Sequence, residues 1–114
     1  MNQAIAKRWV KALRSGKHKQ AKEYLKVGKG YCCLGVLQEC VLGIPIKKPG
    51  HDSTLSQAAL VAADMRQEDG ALSFFDSPGI PIGERMVRSL AEANDYGKSF
   101  KSIANWIEKN WQRL

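Results

Sequence analysis

The sequence has few of the residues and motifs on which most enzymes and metal proteins depend. It has only two histidines and three cysteines, and it contains no G-x-S-x-G, H-E-x-x-H or Walker-type glycine loop. No apolar run is long enough to cross a bilayer, and charges interrupt the apolar residues at the amino terminus, which therefore lacks the form of a signal peptide. We expect a cytoplasmic, non-enzymatic protein that carries no cofactor.

Cysteine is confined to one stretch, GYCCLGVLQEC at residues 30–40. An odd number of cysteines, two of them adjacent, is a poor disulfide framework, and the stretch lacks the C-x-x-C pairs of closed zinc sites. In a helix over residues 31–42, Cys33 and Cys40 would share a face with Val36 and Leu37. We therefore predict that both cysteines are buried and bind no metal. A metal site and redox or nucleophilic chemistry remain the alternatives.

Acidic residues are scarce at the start of the chain. The whole sequence has a net charge of +7, and residues 1–30 contain nine lysines and arginines against Glu23 alone. This asymmetry favours a polyanionic partner, such as a nucleotide-type ligand, nucleic acid or an acidic protein. A lysine-rich surface that serves only solubility predicts the same charge distribution.

Apolar spacing predicts a mainly α fold. Ile5, Trp9 and Leu13 recur at every fourth position and define the buried face of a helix over residues 2–15, which Gly16 ends. Further helices are predicted over residues 19–26, 31–42, 55–67, 84–95 and 99–111. We predict a compact bundle of about five helices in a single globular domain, residues 1–114. The glycines at 28 and 30 and the connection at 71–83 leave room for a small β hairpin or a short strand pair.

Two details of packing follow from this assignment. The apolar faces of the first and last helices should form one core, with Trp9 and Leu13 facing Ile103 and Ile107. Phe74 and Phe75, in the connection at 71–83, should be buried because large apolar side chains rarely remain exposed.

The face of the first helix opposite the apolar residues is basic. Lys7, Lys11 and Arg14 lie on it, and the chain that follows adds more lysines. The predicted ligand-binding surface consists of Lys7, Lys11, Arg14, Lys17, Lys19 and Lys22. A phosphate-bearing ligand would displace counterions from these side chains, so its affinity should fall with salt.

The segment at residues 90–111 has features of a helix-turn-helix. With Gly97 at the turn, Ala93, Ile103 and Trp106 fall at the small, aliphatic and bulky positions that pack the two helices of this motif. Glu92 falls where the motif requires an apolar residue, as does Lys98. The pattern favours helix-turn-helix packing without DNA contact, and DNA binding is the alternative.

Three blocks resemble a family of small, largely uncharacterised tailed-phage proteins: WVKALRSGKHKQ at residues 9–20, YCCLGVL at 31–37 and LAEANDYGKSFKSIANWIE at 90–108. Members of that family commonly have another cysteine where this chain has Gln38, and a glycine where it has Ala21. The resemblance brings no catalytic residue with it. It implies a phage accessory protein that acts by binding in the cytoplasm of a bacterial host cell.

Combined with the basic first third of the chain, the resemblance suggests a host-takeover or anti-defence factor. Such a factor would sequester a phosphate-rich, nucleotide-type ligand or block an acidic host protein. The alternative is a helix-turn-helix-like DNA-binding protein.

Overall fold

The computed structural model describes residues 1–73 and 78–114, so the prediction for Phe74 and Phe75 lies outside the described residues. The first helix, α1 (Gln3–Arg14), begins at Asn2, whose side chain accepts a hydrogen bond from the Ile5 amide at 3.0 Å. It ends before Gly16, which has a positive φ of 73° and can adopt this left-handed conformation without the steric cost of a Cβ. The predicted boundaries of this helix are confirmed within one residue.

The last long helix, α5 (Phe100–Asn110), packs along α1 and is followed by a 3-10 turn, Trp111–Arg113. Ser99 caps α5 by accepting from the Ser102 amide. The predicted joint core is confirmed, because Trp9, Leu13, Ile103 and Ile107 are all buried in one cluster. Trp9 is completely inaccessible, and its indole nitrogen donates to the Cys33 carbonyl at 2.9 Å.

Residues 19–31 form a small sheet, and the helix predicted over residues 19–26 is wrong. The sheet comprises β1 (Lys19–Gln20), β2 (Lys26–Val27) and β3 (Gly30–Tyr31), with β3 between a parallel β1 and an antiparallel β2. Glu23 has a left-handed φ of 72°, which is incompatible with a helix, and its amide donates to the Asp95 carboxylate at 2.8 Å. The hairpin predicted around Gly28 and Gly30 is confirmed.

The cysteine-containing stretch forms a short helix, α2 (Cys33–Gly35), that continues as a π-helix, Val36–Val41. Its hydrogen bonds join each residue to the fifth one before it, as in the bond of 2.9 Å from the Leu42 amide to the Leu37 carbonyl. This wider turn rotates the later residues away from the positions that α spacing predicts. The prediction that Cys40 is buried is therefore wrong: Cys40 is exposed, whereas Gln38 is buried.

The middle of the chain is less helical than predicted. The third helix, α3, spans only Gln57–Ala63 and is capped by Ser56. The strands β4 (Ile80–Ile82) and β5 (Arg85–Val87) then form an antiparallel hairpin, so the strand expected in the connection is confirmed. The helix predicted over residues 84–95 is wrong in its first half, and α4 covers only Leu90–Asp95, after a cap at Ser89. Met86, which would face inward in a helix over residues 84–95, is 56% exposed.

The α4 and α5 helices meet at a turn in which Gly97 has a φ of 94°. The three residues that matched the helix-turn-helix pattern, Ala93, Ile103 and Trp106, are all buried. Phe100, at the start of α5, is buried as well. The segment therefore has the packing that the pattern predicts.

Within the described residues, five helices are combined with a three-stranded and a two-stranded sheet. The prediction of a helical bundle is thus confirmed in part: the fold is partly helical with small sheets. The radius of gyration is 12.5 Å, close to the roughly 13 Å expected for a compact domain of this length. No helix in the described part of the chain is long and apolar enough to span a membrane.

Candidate functional site: two basic hollows beside the first helix

The six basic residues predicted from the sequence are all exposed, but the structure does not place them in one site. Lys7, Lys11 and Arg14 lie along α1, Lys17 follows its end, Lys19 lies in β1, and Lys22 lies in the loop beyond. The Lys22 ammonium is next to the turn at Gly97. Lys19 and Lys22 therefore line neither of the two hollows that flank α1.

The larger hollow, which we call the α1–α5 groove, has a volume of about 650 Å³. Ala6 and Val10, both buried residues of α1, contribute to its lining together with the half-buried Trp111. Lys7 and Lys11, one helical turn apart, are two of its three exposed cations, and Arg14 is the third. The remaining lining residues are Gln3, Ser15 and Glu108. The groove thus combines apolar surface with two lysines.

Arg14 is held within the groove by an acidic partner. Its guanidinium donates to both oxygens of Glu108, at 2.8 and 3.1 Å, and to the Asn105 side chain at 2.7 Å. These hydrogen bonds raise the pKa of Arg14 and lower the pKa of Glu108. Because its charge is already compensated, Arg14 contributes less to attraction of an anion than Lys7 or Lys11, which have no ion-pair partner in the described part of the chain.

The second hollow, which we call the Cys40 hollow, has a volume of about 320 Å³ and lies between α1 and the π-helix. It brings Lys11 and Lys17 together with Arg8, a residue that the sequence analysis did not select. Arg8 was not part of the predicted binding surface because it lies between the basic and apolar faces of the helix. The structure gives it a fixed position, since its guanidinium donates to the Val41 carbonyl.

Two residues with reactive side chains border the Cys40 hollow. The Cys40 sulfur is 3.6 Å from Nδ1 of His18, and the His18 ring packs edge-on against Tyr31 with a centroid distance of 6.0 Å. Desolvation raises the pKa of the Cys40 thiol, and the nearby Tyr31 hydroxyl acts in the opposite direction. The Cys40–His18 pair could not be predicted from residue spacing, because α-helical spacing places Cys40 in the core.

The other two cysteines have structural environments. Cys32 caps α2, where its sulfur accepts from the Gly35 amide, and burial raises the pKa of its thiol. Cys33 is completely buried, which raises the pKa of its thiol well above the ordinary value. Burial of Cys33 is therefore confirmed. Residues 1–73 and 78–114 contain no cluster of three or more histidine, cysteine or carboxylate side chains that could hold a metal ion.

Beside the Cys40 hollow, Glu39 organises a small polar cluster. Its carboxylate accepts hydrogen bonds from the Lys26 ammonium and the Tyr31 hydroxyl, both at 2.8 Å, and from the Ile46 amide at 3.1 Å. The bond with Lys26 is the main reason why the pKa of Glu39 is lowered. The cluster links the sheet to the π-helix and positions Tyr31 beside His18.

Comparison with known families places almost the whole chain in one of them. Residues 1–111 match the family described as "Domain of unknown function (DUF8296)". The chain belongs to this family. No curated protein and no solved structure matched the chain. The family assignment therefore brings no activity with it, and function has to be argued from the two hollows.

Proposed function

We propose that this protein acts by binding a nucleotide-type ligand in the α1–α5 groove, as a small phage accessory protein that sequesters the ligand in the host cell. The phage context comes from the sequence blocks at residues 9–20, 31–37 and 90–108. The choice of ligand comes from one observation: the groove combines apolar and aromatic surface with two lysines that have no acidic partner among the described residues.

The volume and lining of the groove suit a small organic anion. Ligand pockets typically span about 300 to 1,000 Å³, and the α1–α5 groove, at about 650 Å³, lies in the middle of this range. Trp111 offers an aromatic surface for a nucleobase, and such base stacking contributes about 1–3 kcal/mol. Ala6 and Val10 provide apolar contacts on the α1 side. A simple inorganic anion would make no use of this apolar surface.

The two lysines suit the phosphate end of such a ligand. Lys7 and Lys11 lie one turn apart on the same helix face, so their ammonium groups can flank a di- or triphosphate. No compensating carboxylate pairs with either lysine in the described residues, so phosphate binding would break no existing ion pair there. Arg14 would mainly close one end of the groove through its contacts with Glu108 and Asn105.

The arrangement of α5 provides less support for DNA binding. In a DNA-reading helix-turn-helix, the second helix places the side chains of its first turns against base edges. Here Phe100 is buried at the start of α5, and further along the exposed face Glu108 and Asn105 are engaged with Arg14. A carboxylate on this face would also repel the phosphate backbone.

The proposal is tested by calorimetric titration with ribonucleoside mono-, di- and triphosphates, inorganic pyrophosphate and a DNA duplex. We expect a nucleotide to bind more tightly than pyrophosphate, because only the nucleotide can use Trp111. Trp111→Ala should weaken nucleotide binding by roughly tenfold, which corresponds to loss of one stacking contact. Binding of pyrophosphate should change little in this variant.

A matched pair of charge reversals tests the site. Lys7→Glu with Lys11→Glu changes the net charge as much as Lys101→Glu with Lys109→Glu, and all four lysines are exposed. Only the first pair should abolish nucleotide binding and reduce the salt dependence of affinity. Equal losses in both double variants would show that only net charge matters. Binding only to DNA, or only to an acidic host protein recovered from infected cells, would overturn the nucleotide assignment.

A further inference from the structure

We propose that Cys40 is a site of reversible thiol modification, at which its sulfur exchanges with a small anionic disulfide of the glutathione class and His18 accepts the thiol proton. Cys40, His18 and Lys17 do not line the α1–α5 groove, so the proposal can be tested apart from it, although Lys11 borders both hollows. It rests on the geometry of the Cys40–His18 pair and on the charge of the hollow that opens beside it.

The pair has the arrangement of a nucleophile with its base. The Cys40 sulfur lies 3.6 Å from Nδ1 of His18, so the thiol can donate its proton to that nitrogen. The edge-on contact with Tyr31 holds the imidazole in place. Cys40 is the one exposed cysteine among the three, so a reagent in solution can reach its sulfur.

The charge of the hollow indicates the kind of reagent. Arg8, Lys11 and Lys17 line it, and no carboxylate is among its lining residues in the described part of the chain. Glu39 affects the electrostatics of Cys40, but its carboxylate is engaged by Lys26, the Tyr31 hydroxyl and the Ile46 amide. A hollow of about 320 Å³ with this lining favours a small molecule that carries carboxylates, as glutathione disulfide does.

The exchange is a balanced thiol–disulfide reaction. The Cys40 proton moves to His18 as the sulfur attacks one sulfur atom of the disulfide. The new bond joins Cys40 to half of the reagent, the original S–S bond breaks, and the departing thiolate takes up a proton. Cys40 is oxidised and the departing half is reduced. Because desolvation raises the pKa of the Cys40 thiol, few molecules carry a thiolate near neutral pH, and a neighbouring proton acceptor accelerates the reaction.

The remaining cysteines provide an internal control. Cys32 is only 4% exposed and caps a helix, while Cys33 is inaccessible and its sulfur approaches the Leu90 carbonyl. Both should resist exchange as long as the protein is folded. If Cys40 reacts and the two buried cysteines do not, modification depends on the position of Cys40 and not on the mere presence of a thiol.

The experiment follows adduct formation on the full chain by intact mass spectrometry near pH 7. Anionic glutathione disulfide is compared with cationic cystamine, each relative to a short unstructured cysteine peptide. We expect one adduct per native chain, located at Cys40 and absent from Cys40→Ser. Relative to the peptide, glutathione disulfide should react at least about threefold faster than cystamine, because the hollow attracts carboxylates.

Two variants separate the roles of charge and base. Lys17→Glu should slow the reaction with glutathione disulfide and accelerate that with cystamine, whereas Lys101→Glu, on the exposed face of α5, should change neither substantially. His18→Gln should slow both reagents by a similar factor. Circular dichroism would verify that the variants remain folded.

Three results would overturn the proposal. The first is modification of Cys32 or Cys33 before Cys40 in the folded chain. The second is an equal relative rate for the two reagents, which would show that the cations do not select the reagent. The third is an unchanged rate in folded His18→Gln, which would remove His18 as the proton acceptor.

Discussion

The α1–α5 pair and the segment of residues 19–42 contain similar fractions of apolar residues, but different interactions determine their structures. In the pair, each helix has a side-chain cap at its start and its own apolar spacing, α1 is also followed by Gly16, and the structure agrees with these local signals. In the segment, a predicted helix is replaced by strands, and another changes from α to π geometry. Local signals decide structure in the first region, whereas distant contacts decide it in the second.

The distant contacts of the segment can be identified. The side chain of Asn94, on α4, accepts from the Cys33 amide at 3.1 Å and from Gln20 at 2.9 Å, and it donates to the Ala21 carbonyl at 2.8 Å. The Leu25 amide donates to the Asp52 carbonyl. Several backbone groups of this segment are thus satisfied by residues that are remote in sequence.

The largest effect should come from Gly35, the last residue of α2, which packs against the backbone of Leu25 within the segment. A Cβ at this position would lie 1.8 Å from the Leu25 carbonyl oxygen. Because a backbone oxygen cannot move aside as a flexible side chain can, Gly35→Ala should prevent normal folding. The control is Gly83→Ala, where the φ of 57° carries a cost of roughly 1–2 kcal/mol but a Cβ meets no atom. Thermal unfolding of both variants tests this contrast, and equal melting temperatures would contradict it.

The next largest effect concerns the α1–α5 core. Trp9→Ala removes a fully buried aromatic ring and leaves the Cys33 carbonyl without its indole donor, so it should cost about 3–5 kcal/mol of unfolding free energy. Val61→Ala, at a residue 70% exposed, should change stability by less than about 0.5 kcal/mol. Chemical denaturation provides both values. If Trp9→Ala unfolded like the wild type, the core would be assigned incorrectly.

A smaller effect is expected at Asn94, which joins α4 to the segment of residues 19–42. Asn94→Ala removes the partner of three groups and should destabilise the protein by about 1–3 kcal/mol, because at least one buried group would remain unsatisfied. Hydrogen exchange should accelerate at Cys33 and in β1 more than in α5. Asn105→Ala, on the exposed face of α5, is the matched control. Uniform acceleration over the whole chain would show that Asn94 stabilises no particular segment.

The smallest effect is a pH dependence at Glu39. Since its pKa is lower in the folded than in the unfolded chain, its contribution to stability is complete above the unfolded value of about 4.3. That contribution is lost as the pH falls through the folded pKa. Glu39→Gln should therefore lower stability at neutral pH and flatten its decline between about pH 5 and pH 3. Urea denaturation across this range tests the prediction, with Glu84→Gln as an exposed control. Parallel curves for wild type and Glu39→Gln would refute it.

Elements whose signals are local could be predicted from the order of the residues alone. The Asn2 cap, the apolar residues at every fourth position and Gly16 specify α1, and similar signals specify most of α5. The exposed α1 residues of the candidate groove could be predicted from the same spacing, because the helix face opposite a buried stripe must be exposed. Lys7 and Lys11 could be selected in this way, as could the burial of Trp9 and Leu13.

Features that depend on a second segment of the chain arise from the packing of the folded molecule. Trp111 borders the α1–α5 groove because the two helices pack together. Arg14 is less able to bind an anion because its guanidinium is paired with Glu108 on α5. Cys40 meets His18 because a π-helix shifts the register of the cysteine-containing stretch. Helix periodicity assumes regular hydrogen bonds, so it cannot anticipate a turn whose geometry changes within the helix.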